Sequence, residues 1–152
     1  MNDKPSKDSE RAAAVAAYNE VVASADLNDI TLIFVNFIVK PGYYQMMAGD
    51  DASKLSRGFH SDFKAFSYDP EQNRLGGQFD WTIDVSYSRK KLLQIKASYV
   101  VTYDNVPDVG NTHIEAFIKR VGRFATYPYL RNLASHLSWE SRAELPVLPV
   151  LK

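Results

Sequence analysis

The residue types that could carry acid–base or metal chemistry are scattered along this chain. The three histidines, His60, His113 and His136, fall in separate segments, and none has a second ligand at a zinc-binding spacing. Asp80 and Asp84 share one face of a predicted strand, about 13 Å apart, which is too far for two carboxylates to share a proton. We therefore expect surface or capping roles for these side chains, with no catalytic site and no metal.

Other signatures of enzymes and nucleic-acid-binding proteins are weak or missing. No Gly-x-Ser-x-Gly motif is present, and the pair Gly76-Gly77 lacks the further glycines and the lysine of a phosphate-binding loop. Lys and Arg number 18, as do Asp and Glu, so there is no net field to attract nucleic acid or an anionic membrane. We expect a protein that is not an enzyme and needs no cofactor, nucleic acid or membrane.

The features that stand out are apolar. A long connection over residues 41–58 without a clear period carries aromatic and methionine side chains, which adapt well to irregular partners. Trp139 ends the last predicted helix, and the apolar segment "ELPVLPVL" follows it. Two interpretations are open at this point: an exposed interaction surface, or lids that fold over the core.

Composition predicts one ordinary globular unit. The chain has 152 residues, 45% of them hydrophobic and 24% charged, which is enough for a sizeable core. The lack of cysteine excludes a disulfide framework and a thiolate metal site. The polar start is unlike a signal peptide, and no apolar run reaches the ~20 residues of a membrane span. We expect a soluble, cytoplasmic protein with a polar tail and short helix over 1–26 and one domain over 27–152.

Four strands are predicted. The segments 78–87 and 92–103 alternate apolar and polar residues, and with 59–68 they indicate an antiparallel meander with one wet face. The segment "DITLIFVNFIVKPG" is different, because Ile33, Val35, Phe37 and Val39 share one predicted face while the other face is largely apolar too. Such a strand must be covered on both faces, by its own subunit or by a neighbour.

Two helices are predicted after the sheet, over 112–126 and 128–140, with a break at Pro128, because proline fits the first turn of a helix better than its interior. The predicted fold class is therefore α+β, with a four-stranded antiparallel sheet and helices on one face.

The C-terminal segment "GRFATYPYLRNLASHL…LPVLPV" resembles the signature of the SecB chaperones. That signature has a helix, an aromatic-Pro-Tyr-x-Arg break, here Tyr127, Pro128, Tyr129 and Arg131, then a second helix and a proline-punctuated apolar segment. The order of elements upstream agrees, so the resemblance covers roughly residues 27–151 and makes 27–152 a SecB-like chaperone domain. "GRFATYPYLR" is more similar to the SecB-like chaperones encoded with toxin–antitoxin pairs, which hold an aggregation-prone antitoxin.

The resemblance implies an ATP-independent holdase that assembles as a dimer of dimers, a homotetramer. Unfolded clients, here an antitoxin, would lie in grooves beneath the crossover loop and the second helix. Carried over by position, the client-binding residues are Tyr43, Tyr44, Met46, Met47, Phe124, Leu133, Leu137 and Trp139. The oligomer interface would use the first strand and the long helix, through Ile33, Val35, Phe37, Ile114, Phe117, Ile118 and Val121.

Two alternatives remain open. One is a general export chaperone that delivers preproteins to SecA, although this chain is neutral where that protein is acidic and has "SRAE" in place of glycines after the second helix. The other is a carrier with a small lipid-like ligand under the loop, which would need a closed pocket.

Overall fold

The computed structural model describes residues 4–151, which form one antiparallel sheet with helices on one of its faces. The strand order is β1-β4-β3-β2, so that β1 and β2 are the edges. The predicted fold class is confirmed. The strands are β1 (Asp26–Val39), β2 (Ser56–Asp69), β3 (Arg74–Tyr87) and β4 (Lys90–Asp104). The helices are α1 (Lys7–Ser24), α2 (Pro41–Ala48), α3 (Asn111–Phe117) and α4 (Arg123–Ser141), with a 3₁₀ turn at Asp50–Lys54 and a π turn at Ile118–Gly122.

The two central strands form the floor of the core. In β3 and β4 alternate side chains are buried under the helices, and the residues between them are mostly half-exposed. This is the pattern that a period of two produces in a sheet with one covered face. The largest buried side chains of the two strands are Leu75, Phe79, Trp81, Ile83, Val85, Leu93 and Ile95.

Two glycines let the helix layer lie directly on the sheet. A Cβ at Gly77 of β3 would stand 2.7 Å from Cγ1 of Ile118, and a Cβ at Gly122 would stand 2.7 Å from Cε2 of Phe79. Real Cβ atoms do not approach other atoms so closely. The π turn, which contains Ile118 and Gly122, is therefore the point of closest contact between helices and sheet.

The predicted helix break at Pro128 is wrong. The α4 helix continues through Pro128, and the helical run is irregular earlier, at the π turn. Pro128 removes the amide that would bond to the carbonyl oxygen of Phe124. Both residues are exposed, so water can replace the missing donor.

The predicted structureless connection over 41–58 is also wrong in part. It contains α2, in which Pro41 occupies the first turn as a proline prefers, and the 3₁₀ turn. The helix has only eight residues, too few to show a period in the sequence. Tyr43 of α2 is buried, with 2% of its surface exposed.

The edge strand β1 contains two bulges, and one of them changes the predicted faces. The register with β4 shifts between Leu32 and Phe34, which leaves Ile33 as an extra residue. Val35 and Phe37 pair with helix-facing residues of β4, as does Leu32. The uninterrupted alternation had predicted that Ile33 shares a face with Val35 and Phe37. The bulge at Ile33 removes it from that face.

The subunit covers both faces of β1 only in part. On the helix side, Leu32 and Val35 keep 41% and 45% of their surfaces exposed. On the opposite side, Phe34 and Ile38 each keep 50%. The N-terminal helix α1 does not cover this strand's middle; its Tyr18 packs against Phe117 of α3, with ring centroids 6.4 Å apart.

Three residues of the predicted oligomer interface belong to the core of the subunit. Ile114 and Ile118 are fully buried and Phe117 is 3% exposed, whereas Val121 is half-buried. Phe117 packs between Tyr18 of α1 and Tyr103 of β4. Ile114, Phe117 and Ile118 are thus covered by their own chain, and their predicted role in an oligomer interface stays a prediction.

Gly122→Ala tests the close approach of the helix layer. The added methyl group meets the buried ring of Phe79, so overpacking should outweigh the gain in helix propensity. We expect the free energy of unfolding to fall by about 1–2 kcal/mol, measured by urea denaturation. Gly42→Ala in α2 is the matched control, because its Cβ would meet Cδ2 of Leu92 at an ordinary 3.4 Å. Equal stability of the two variants would contradict this account.

Candidate functional site

The candidate site is a groove bounded by α2, α4 and the start of β2, and it holds the last residues of the chain. We call residues 143–151 the C-terminal tail. The tail has no regular secondary structure and leaves α4 after Arg142, which adopts the left-handed conformation with φ of 57°. A cavity of about 560 Å³ separates the tail from α4, and a second of about 200 Å³ separates it from Gly58 and Phe59 of β2.

Hydroxyl groups of the groove hold the backbone of the tail. The Tyr43 hydroxyl donates to the carbonyl oxygen of Glu144, and the Tyr127 hydroxyl donates to that of Pro149. Between α4 and the tail, Ser138 Oγ donates to the carbonyl oxygen of Ala143 at 2.6 Å. All three hydrogen bonds are therefore made to the main chain of the tail and not to its side chains.

A further tyrosine attaches α2 to the end of α4. The Tyr44 hydroxyl donates to the carbonyl oxygen of Ser141 at 2.6 Å. This carbonyl belongs to the last turn of the helix, where an orphan acceptor needs a partner from outside the helix. Tyr43 and Tyr44 thus connect α2 to both the tail and the end of α4.

The leucine side chains of the tail recur with a period of three, and Ala143 and Pro146 are also buried or half-buried. Leu145, Leu148 and Leu151 pack against the core, whereas Val147 and Val150 are 96% and 82% exposed. A polyproline II segment has three residues per turn and places every third side chain on one side. The prolines at positions 146 and 149 favour this backbone, and they bring no amide hydrogen that would need a partner.

Aromatic rings line the groove on the sheet side. Phe59, Trp81 and Tyr127 lie in mutual contact, with ring centroids 5.6–5.7 Å apart. Trp81 is fully buried, and its indole nitrogen donates to Thr126 Oγ1 at 3.1 Å. The guanidinium of Arg131 lies 5.9 Å from the centroid of the Tyr127 ring. The rings are fixed from below, so the groove is largely preformed.

Burial extends the pH range over which the Tyr43 hydroxyl keeps its proton and can donate. Desolvation raises the pKa of Tyr43 above its usual value of 10.0, the nearby charge of Arg57 partly opposes this, and Glu144 adds to it. The phenol is therefore neutral at physiological pH and can donate to a carbonyl oxygen. The groove thus offers hydrogen-bond donors and apolar surface, a combination that suits peptide binding.

The structure brings together some of the predicted client-binding residues. Tyr43 and Tyr44 hold the end of α4 and the tail, and Trp139 lines the larger cavity. Trp139 is 70% exposed, with the guanidinium of Arg142 5.1 Å from its ring. Met46 is half-buried, and the remaining aliphatic members are half-buried and pack against the core: Met47, Leu133 and Leu137.

Phe124 lies apart from this group. It is 42% exposed and lines a different surface cavity with Ala116, Lys119 and Arg120. Phe124 is on the exposed side of α4, as is Pro128, whereas Tyr127 faces the sheet. The predicted groove set is therefore divided between two surfaces of the protein.

Three residues of the groove were not predicted from the sequence as client-binding residues. Tyr127 was identified as part of a motif, but its hydroxyl also binds the tail. Phe59 and Ser138 were missed. The repeat "LPVLPVL" carried the available signal, because a period of three in an apolar segment suggests a polyproline II strand that docks on aromatic rings.

No feature of the described residues favours a metal or membrane site. Residues 4–151 contain no cluster of three or more potential metal ligands among His, Asp and Glu. His60 and His136 are exposed and His113 is half-buried, each in a different element. Within the same residues, no helix combines the length and apolar character that crossing a membrane requires.

Comparisons with known proteins identify the fold. No protein-family model matches the chain, and no curated protein matches it by sequence. Among solved structures, it is similar to the Mycobacterium tuberculosis Rv1957 SecB-like chaperone in complex with a ChAD peptide from the Rv1956 HigA1 antitoxin. The TM-score is 0.72 at 18% identity, over 90% of this chain and 97% of that chain. The chain therefore has the fold of a SecB-like chaperone, as the sequence resemblance implied.

Proposed function

We propose that this protein is an ATP-independent chaperone that holds unfolded, aggregation-prone segments of a client protein. The observation that supports this most directly is the groove between α2, α4 and β2. Its tyrosine hydroxyls bond to main-chain carbonyl oxygens, and its aromatic floor accepts apolar side chains from an extended segment. A site of this kind does not select a particular side chain, so it suits a chaperone better than a receptor for one compound.

The proposed mechanism is passive holding. An unfolded segment offers backbone carbonyls and apolar side chains together, whereas a native protein has buried both. Selectivity then depends on exposure and only loosely on sequence. Release follows when the client folds or passes to a partner, because burial of its apolar side chains in its own core removes the binding segment.

The client that we propose is an antitoxin of a toxin–antitoxin–chaperone system. The similar Rv1957 structure is described as a SecB-like chaperone bound to a peptide of the HigA1 antitoxin. A shared fold makes a peptide client of the same class a reasonable hypothesis for this chain. Binding of a disordered antitoxin segment would remove it from the population that aggregates or is degraded.

We further propose that subunits assemble through β1 into a dimer of dimers. The exposed apolar side chains on both faces of this edge strand support assembly, since an uncovered apolar edge strand is an aggregation hazard. Val35 and Ile33 from the predicted interface are exposed, as are Phe34 and Ile38. The buried residues Ile114, Phe117 and Ile118 are not part of this proposal.

Val35→Glu tests the assembly. Val35 lies on the helix side of β1 and keeps 45% of its surface exposed, so a charge there should prevent burial of that surface against another subunit. We expect the molar mass from light scattering to fall below that of the wild type, with the circular dichroism spectrum unchanged. Val15→Glu on α1 is the matched control, because Val15 is similarly exposed, at 53% against 45%. An unchanged molar mass in Val35→Glu would exclude this face from the interface.

The double variant Leu137→Ala with Trp139→Ala tests holding. Removal of these two side chains takes apolar contact area from the rim of the groove. We expect affinity for a permanently unfolded protein, reduced and carboxymethylated α-lactalbumin, to fall about tenfold while the molar mass stays that of the wild type. Phe124→Ala is the control on the other surface and should leave affinity unchanged. Full affinity in the double variant would move the client site away from α4.

Affinity capture from the native host, with mass spectrometry of the bound material, distinguishes the candidate functions. We expect one dominant small DNA-binding-type antitoxin. A range of signal-bearing precursors together with SecA would favour the export chaperone instead. A retained low-mass ligand would favour the carrier.

A further inference from the structure

We propose that the C-terminal tail is a built-in occupant of the client groove, and that clients displace it by reproducing its pattern. The client class is then an extended segment with an apolar side chain at every third residue, in a polyproline II backbone that tolerates proline. This inference rests on the proposed function and adds the chemistry of the ligand and the competitor that it meets.

The period of the buried side chains distinguishes this binding mode from two others. Leu145, Leu148 and Leu151 face the core while Val147 and Val150 face solvent. An added β-strand would bury every second residue, and a helix would bury residues three and four apart. A polyproline II segment rises 3.1 Å per residue, so the three leucines stand about 9 Å apart along the groove.

The hydrogen bonds of the groove suit the same backbone. Three carbonyl oxygens of the tail, those of Ala143, Glu144 and Pro149, accept from hydroxyl groups of the groove. One amide of the tail, that of Ala143, donates to Ser141 Oγ at 3.2 Å where the tail leaves α4. Carbonyl acceptors are present in every residue type, proline included. Pairing along a strand edge would require amide donors from the segment, and the two prolines of the tail lack them. The groove therefore accepts proline-rich apolar segments that strand addition would reject.

The tail is held weakly enough to be displaced. Among the described residues, no backbone-to-backbone hydrogen bond involves the tail. Beyond the buried Ala143 at its start, its attachment consists of three half-buried leucines, the half-buried Pro146 and hydrogen bonds that involve hydroxyl groups. Because the tail is covalently joined to α4, its effective concentration at the groove is nonetheless on the order of millimolar. A client must therefore compete with the tail. Its apparent dissociation constant equals the intrinsic one divided by the fraction of time that the groove is free.

The floor beneath the tail explains why an occupant is useful. Phe59 and Tyr127 form an aromatic surface beneath the two tail prolines, and part of the smaller cavity lies against Phe59. Exposed aromatic surface of this kind binds apolar segments without discrimination. A resident segment with the correct period therefore shields the groove from short or poorly matched sequences and yields to longer ones.

The test compares three full-length proteins. They are the wild type, the leucine variant (Leu145→Ser with Leu148→Ser) and the control variant (Val147→Ser with Val150→Ser). The first pair removes side chains that pack in the groove, and the control removes outward side chains of the same tail. The first probe is a fluorescein-labelled peptide with the sequence of residues 143–151, followed by fluorescence anisotropy. We expect the leucine variant to bind it about tenfold more tightly than the wild type or the control.

A second peptide of the same composition, with the order scrambled so that leucines no longer recur every third residue, tests the pattern. It should bind the leucine variant about tenfold more weakly than the first peptide. Equal affinities for the two peptides would overturn the period of three. Equal affinity of the first peptide for all three chains would overturn the resident tail. If the double leucine variant lowers the melting temperature, the single Leu148→Ser gives the same comparison with less change to the core.

The unfolded protein probe separates this inference from the proposed function. Carboxymethylated α-lactalbumin should bind the leucine variant more tightly than the wild type. If the wild type holds it and the leucine variant holds it equally or less tightly, the tail is not a competitor, and the chaperone function stands. If none of the chains holds it, the proposed function fails, and the client role of the groove fails with it.

Discussion

The close contact between the π turn and the sheet determines where every functional surface lies. At Gly77 and Gly122 the missing side chains leave room for Ile118 and Phe79, so the helix layer approaches the central strands closely. A layer seated at this depth brings Tyr127 against Trp81 and directs the end of α4 toward α2. The groove follows from that placement, because its two helical walls and its aromatic floor meet where the layer comes down on the sheet.

The groove and the edge strand β1 both carry apolar side chains, but these are covered in different ways. The groove is covered from within, by the tail, through contacts that another extended chain can replace. The edge strand β1 is only partly covered by its own subunit, and apolar side chains stay exposed on both of its faces. One surface therefore suits exchange with another extended segment, and the other suits association with another chain.

The sequence predicted the regular parts of this structure well and the irregular parts poorly. The meander was evident because apolar and polar residues alternate along β3 and β4, a pattern that can be read within each short segment. The bulge at Ile33 and the π turn depend on contacts with β4 and Phe79, which no local pattern encodes. The apolar character of Ile114 and Phe117 was visible in the sequence, but their packing in the core of the subunit depends on contacts with other elements, among them Tyr18 of α1. For the same reason, Phe124 could not be separated from the groove by sequence spacing alone.

The absence of backbone-to-backbone hydrogen bonds from the described part of the tail has a kinetic consequence. A segment held by side-chain contacts and a few hydroxyl groups opens on the timescale of loop motions, nanoseconds to microseconds. Encounter between two proteins, at typical rate constants of about 10⁵–10⁶ M⁻¹ s⁻¹ without electrostatic steering, is far slower at cellular concentrations. The zero net charge of the chain gives no such steering. For any extended segment that replaces the tail, collision and not opening of the tail would limit the rate, and that rate should respond little to salt.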